Sequence, residues 1–123
     1  MRNIITAAAL LLSTSAAAHE MTPTYFQLVP SMVTNVWTTK MNIFNRREDI
    51  NLYQMEVYTA DWEALPFASF NREFNLDYGE GITVELYFRN IDKDRVTYIC
   101  SRSVPDGSEV SAVASLICSK VRD

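Results

Sequence analysis

Ile82-Thr83-Val84-Glu85-Leu86-Tyr87-Phe88-Arg89 decides the fold. Ile82, Val84, Leu86 and Phe88 fall on one side of an extended chain, and Thr83, Glu85, Tyr87 and Arg89 on the other. A period of two with one apolar side marks a half-buried β-strand. The same pattern continues outward. Asp77-Tyr78-Gly79-Glu80-Gly81, just upstream, holds two of the three glycines and reads as a turn. Further back, residues 35–44 alternate with Trp37, Thr39, Met41 and Ile43 on one face. Residues 51–59 do so with Tyr53, Met55 and Val57, and the polar turn 45–49 lies between the two runs. Phe67 to Phe74 reads as a short, irregular edge, because Pro66 bars a central strand there. Downstream, turn 90–94 leads to a strand over 95–102 with Val96, Tyr98 and Cys100 on one side, and Pro105-Asp106-Gly107 is a strong turn signal. Residues 108–121 fit two patterns: a strand, and a helical stripe of Val110, Val113, Ile117 and Val121. The strand is preferred, because a hairpin after Cys100 brings Cys118 alongside it. About seven short strands, with turns every 8–12 residues, predict an all-β, immunoglobulin-like antiparallel β-sandwich.

The N-terminus reads as an address. Arg2 supplies a positive start, residues 4–12 form an apolar run of nine, and residues 13–18 are all small, ending Ala16-Ala17-Ala18. This is the pattern of a cleaved secretory signal peptide over 1–18, and the apolar run is shorter than the roughly 20 residues that span a bilayer. The expected mature chain is one domain, residues 19–123, exported to the periplasm or the extracellular space with no membrane span after cleavage. The 123-residue chain carries 11 basic and 15 acidic residues, a formal charge of −4, and loss of Arg2 makes it −5. That balance argues against nucleic acid, which needs a basic face, and against an electrostatic hold on anionic lipid. Hydrophobic residues make up 48% of the chain, enough for a packed core.

Cys100 and Cys118 are the only cysteines. In an oxidising compartment a lone pair joins, so a Cys100–Cys118 disulfide is expected. Trp37 precedes both cysteines by a long way, so the bridge is not the inter-sheet bond of antibody domains.

From Trp37 to Pro105 the chain resembles the first, immunoglobulin-like domain of the periplasmic pilus-assembly chaperones. The matching features are the strand 52–62 (Leu-Tyr-Gln-Met-Glu-Val-Tyr-Thr-Ala-Asp-Trp) and the Leu76 … Gly79-Glu80 turn into the apolar strand ending at Phe88. Asp94-Arg95 before an aromatic strand, closing on Val104-Pro105, completes the match. It covers about two-thirds of the mature chain, and its motifs belong mainly to the fold. Those chaperones have a second domain, which this chain is expected to lack. The resemblance implies binding of a partner strand at a sheet edge.

No motif carries catalysis. There is no G-x-S-x-G, no phosphate-binding loop and no nucleophile with a histidine nearby in sequence, so enzymatic activity is not expected. The carboxylates Asp61, Glu63, Asp77, Glu80, Asp92 and Asp94 fall in turns and read as solvated, with the calcium spacing of Asp92-x-Asp94 incomplete. The expected function is that of a non-catalytic binding or assembly module for another envelope or surface protein, with no cofactor. Trp62, Phe67 and Phe70, around the broken edge, are the expected partner-binding residues. Two alternatives stand beside it. His19, the only histidine and the expected first residue of the mature chain, offers a ring nitrogen next to an α-amine, a pair that chelates copper, with Met21 as a further ligand for Cu(I). Failing a metal role, His19 reads as a frayed end. The other alternative is a structural decoration module of a larger particle.

Overall fold

The computed structural model describes residues 18–105 and 113–122. Residues 1–17 of the expected signal peptide, Asp106-Gly107 and residues 108–112 of the last expected strand lie outside those residues. Among the described residues nine strands form two sheets: β1 (Glu20–Thr22), β2 (Tyr25–Phe26), β3 (Val29–Pro30), β4 (Val36–Phe44), β5 (Leu52–Tyr58), β6 (Glu73–Asn75), β7 (Gly81–Arg89), β8 (Tyr98–Val104) and β9 (Leu116–Val121). In one sheet β4 is central, with β7 along one edge and β1 and β3 sharing the other. The second sheet runs β2-β9-β8-β5-β6. Every pairing is antiparallel except β2 with β9, which is parallel.

The long strands follow the sequence pattern. β4 and β7 pair over nine residues each, from Val36↔Arg89 to Phe44↔Gly81, and send Met41, Ile43, Val84, Leu86 and Phe88 inward. β5 supplies Tyr53, Met55 and Val57 from the facing sheet, and Phe26, Leu76, Val96 and Ile99 complete one core. A side chain of this kind fully withdrawn from water contributes roughly 1.5–3 kcal/mol, so these strands dominate the stability.

The shorter elements depart from the expectation. Tyr25, Phe26, Leu28 and Val29, before Pro30, look like one strand in sequence, but the N-terminal segment supplies three: β1 joins β4, β2 crosses to β9, and β3 returns to β4. Pro23, after a cis peptide bond, lies between β1 and β2, and Pro30 ends β3 opposite Trp37. The strand expected over 95–102 begins at Tyr98, because a 3-10 turn occupies Lys93–Arg95. Its inward side carries Ile99, Ser101 and Ser103, while Tyr98, Cys100 and Arg102 alternate to the other face, where Cys100 is nonetheless fully covered. Likewise β9 turns Ser119 inward and Leu116 and Lys120 outward. The helical alternative for this segment is excluded over 116–121.

Asn45 locks the turn after β4. Its amide donates to Ile50 O at 3.1 Å and Leu76 O at 2.8 Å, and its Oδ1 accepts from the Arg47 backbone N–H and the Tyr53 hydroxyl. Asn45 is fully buried, and all of its amide's hydrogen-bonding capacity is used.

Candidate protein-binding edges

A sheet edge binds a partner strand through backbone groups that its own sheet leaves unpaired. β9 has such groups. Its Lys120 N–H donates to Thr24 O, away from β8. Backbone groups alternate in direction along a strand, so the N–H and C=O of Cys118 and Leu116 point the same way. Among the described residues β2 pairs only with Lys120 and Val121, and no strand pairs with Leu116 to Ser119 on that side, although β1 passes near β9 without pairing with it. Leu116 and Val113 are exposed beside this stretch. The Cys100–Cys118 disulfide, with its Cα atoms 4.0 Å apart, fastens the edge to β8.

Behind the edge is a buried polar cluster. His19, just before β1, is 2% exposed and not frayed. Its Nε2 lies 3.1 Å from Ser101 O and 2.8 Å from Ser101 Oγ, and its Nδ1 lies 3.0 Å from Ser115 Oγ. A carbonyl only accepts, so Nε2 carries the proton and Nδ1 accepts from the Ser115 hydroxyl. Ser103 Oγ, 3.0 Å from Ser115 Oγ, extends the chain, and the ring of Tyr53 stands 4.9 Å from the imidazole. Burial lowers the His19 pKa below its ordinary value, the bond to the Ser101 carbonyl opposes this, and Arg47 lowers it further. Met21 is buried in the core. As placed, both ring nitrogens of His19 have partners within the protein, and the described residues hold no group of three His, Cys, Asp or Glu side chains suited to a metal.

The residues expected to bind a partner are not brought together. Trp62 belongs to the β5–β8 sheet, where its indole lies flat on Tyr98, centroids 4.0 Å and planes 7° apart, with Tyr58 tilted beside it. Phe67 and Phe70 flank β7 instead. Between them Ala68 and Tyr87 exchange two backbone hydrogen bonds, which closes the β7 edge at that point, and Ser69 Oγ donates to Glu85 O. Phe70 is 95% exposed over an apolar groove lined by Val33, Val36, Ala68 and Tyr87.

The outer face beside Trp62 is polar and paired. Arg102 grips Glu56 through Nε at 2.7 Å and Nη2 at 3.1 Å, and Gln54 and the Tyr58 hydroxyl donate to the same carboxylate. Burial works against the charge on Glu56, but these donors outweigh it and hold its pKa down at about 2. Asp92, expected to be solvated, is buried and ion-paired with Arg89 and Arg95.

No family model and no curated protein matches the chain. Solved structures do. The E. coli chaperone DraB superposes with a TM-score of 0.64 at 18% identity, covering 85% of this chain and 53% of that one. A chain from the complex of the Salmonella enterica SafA pilin with the SafB chaperone gives 0.64 and 18%, covering 89% and 55%. In fold, the chain resembles these chaperones. The likeness bears out the immunoglobulin-like resemblance read from Trp37 to Pro105 and extends it to most of the chain. The present chain spans a little over half the length of each. The open edge at Leu116–Ser119 was missed in sequence, because alternation shows which side chains face inward and not which backbone groups lack a neighbour.

Proposed function

We propose that this chain is an exported, non-catalytic binding module that takes an extended segment of another envelope or surface protein onto the open edge of β9. The outward backbone groups of Leu116 and Cys118 carry this reading, since they offer a ladder to an incoming strand while β8 and the disulfide hold β9 in place. The SafB chaperone, of like fold, is found in complex with a pilin, which supports a protein as the ligand class. The signal-like N-terminus supports export.

A second reading rests on a different observation. Beyond the Ala68–Tyr87 closure, the outward groups of Thr83 and the Glu85 N–H are open among the described residues, and Ser69-Phe70 lies at the start of that stretch, where Ser69 Oγ donates to Glu85 O. A photo-crosslinking side chain at Leu116 and, separately, at Phe70 distinguishes the two in the intact envelope. A discrete protein adduct from position 116 is expected. An adduct from position 70 alone moves the site to β7, and adducts from neither position, with export and folding intact, overturn the binding reading.

A further inference from the structure

The buried imidazole of His19 is tied to both strands of the hairpin that forms the β9 edge. Three elements meet there: the start of β1, Ser101 on β8, and Ser115 just before β9. We propose that His19 is a proton-sensitive latch, whose protonation frees β1 from the β8–β9 hairpin and loosens the β9 edge. The latch regulates the site proposed above and rests on that reading only for its consequence in binding.

The argument is one of charge in a closed space. The neutral ring fits its partners, as Nε2–H donates to the Ser101 carbonyl and Nδ1 accepts from a hydroxyl. A proton on Nδ1 turns that acceptor into a donor and puts a positive charge where His19 is only 2% exposed. Among the described residues no carboxylate is free to receive it. From the turn after β4, Arg47 reaches Ser103 Oγ and Val113 O, and Asp49 in the same turn is held by Arg47. β5 presents the Tyr53 ring, whose hydroxyl is committed to Asn45. Among the described residues, β8 and the approach to β9 present the serines 101, 103 and 115 to the ring. On β1 itself Glu20 is exposed and paired with Arg46, and cleavage after Ala18 would put the α-amine of the exported chain on His19, a further positive charge beside the ring. The imidazolium is relieved by leaving for water, and β1 is a small element to move, since it pairs with β4 over only three residues.

Linkage gives the size of the effect. The open form takes up its proton near the ordinary histidine value of about 6.5, and the closed form does so lower. Between those two values each pH unit of acidification raises the opening equilibrium about tenfold. Above the upper value the latch is closed and independent of pH.

The test uses the isolated, exported chain without a partner, so its outcome is independent of whether β9 binds anything. His19 is the only histidine, so its ring resonances are unambiguous in NMR. They are expected to titrate below the ordinary range, in step with a loss of amide-exchange protection in β1 and β9 of about tenfold per pH unit, while β4, β5 and β7 stay protected. His19→Gln, which cannot take up the proton, is expected to abolish the step. If that variant does not fold, the wild-type comparison of ring titration with site-by-site protection decides alone. An ordinary ring pKa, protection in β1 and β9 that ignores the titration, a loss spread evenly over all strands, or a step retained in His19→Gln overturns the proposal.

Discussion

Cys118 stands directly across from Cys100, their Cα atoms 4.0 Å apart, on the outer face of the sheet and within one hairpin. That close approach is typical of a non-hydrogen-bonded antiparallel pair, and the outward bond from Lys120 to Thr24 sets the same phase along β9. The bridge therefore ties an edge strand to its neighbour; it does not join the two sheets.

The loss of that tie has a calculable effect. The bridge spans 18 positions, for which loop-closure entropy predicts a stabilisation of about 3 kcal/mol. The Cys100→Ala/Cys118→Ala variant is expected to unfold in urea with ΔG lower by about that amount. Unchanged stability would show that the hairpin is already ordered in the unfolded chain.

Trp62 holds a left-handed backbone, φ 64°, and is 51% exposed while stacked on Tyr98. Trp62→Ala keeps the backbone strain and loses the stack, whereas Trp62→Gly loses the stack and relieves the strain. The glycine variant is expected to be the more stable of the two by about 1 kcal/mol. Thermal unfolding of the pair checks the sign.

Asn45 and Tyr53 are unequal partners. Tyr53→Phe removes one donor and leaves Asn45 Oδ1 with the Arg47 N–H, for an expected loss of about 1–2 kcal/mol. Asn45→Ala strands the carbonyls of Ile50 and Leu76, the Arg47 N–H and the Tyr53 hydroxyl, for an expected loss of about 3–4 kcal/mol. Equal losses in guanidinium titrations would contradict the role given to Asn45.

Glu56 makes the fold sensitive to strong acid. Its pKa near 2 lies below the ordinary 4.5, so the carboxylate favours the folded state above the ordinary value, and that contribution disappears as pH falls from about 4.5 to about 2. With 17% of the side chain exposed and partial screening, the contribution is about 2 kcal/mol. Glu56→Gln is expected to be less stable than the parent at pH 7 by that amount, and the gap is expected to close by pH 2. A gap that persists at pH 2 would assign the effect to geometry instead of charge.

Alternation along the chain sufficed for β4, β5 and β7, because a strand with one face in a core must repeat every two residues, and Met41, Val57 and Leu86 sit where that period puts them. The cysteine pairing followed from the compartment and a hairpin. Other features were decided only by the tertiary structure. Alternation puts Tyr98 and Cys100 together on one side, yet it is Ser101, Ser103 and Ser119 that face inward, where His19 and the Pro23 carbonyl give Ser101 and Ser119 their partners from 82 and 96 positions away. Trp62 and Phe70 look alike in sequence and lie on different sheets. The sequence by itself determined which residues must leave water, since that is a local property of each side chain and its neighbours. The structure decided which polar groups meet inside and which edges stay open, because hydrogen bonds between distant segments, and their absence, depend on how the strands are ordered across the two sheets.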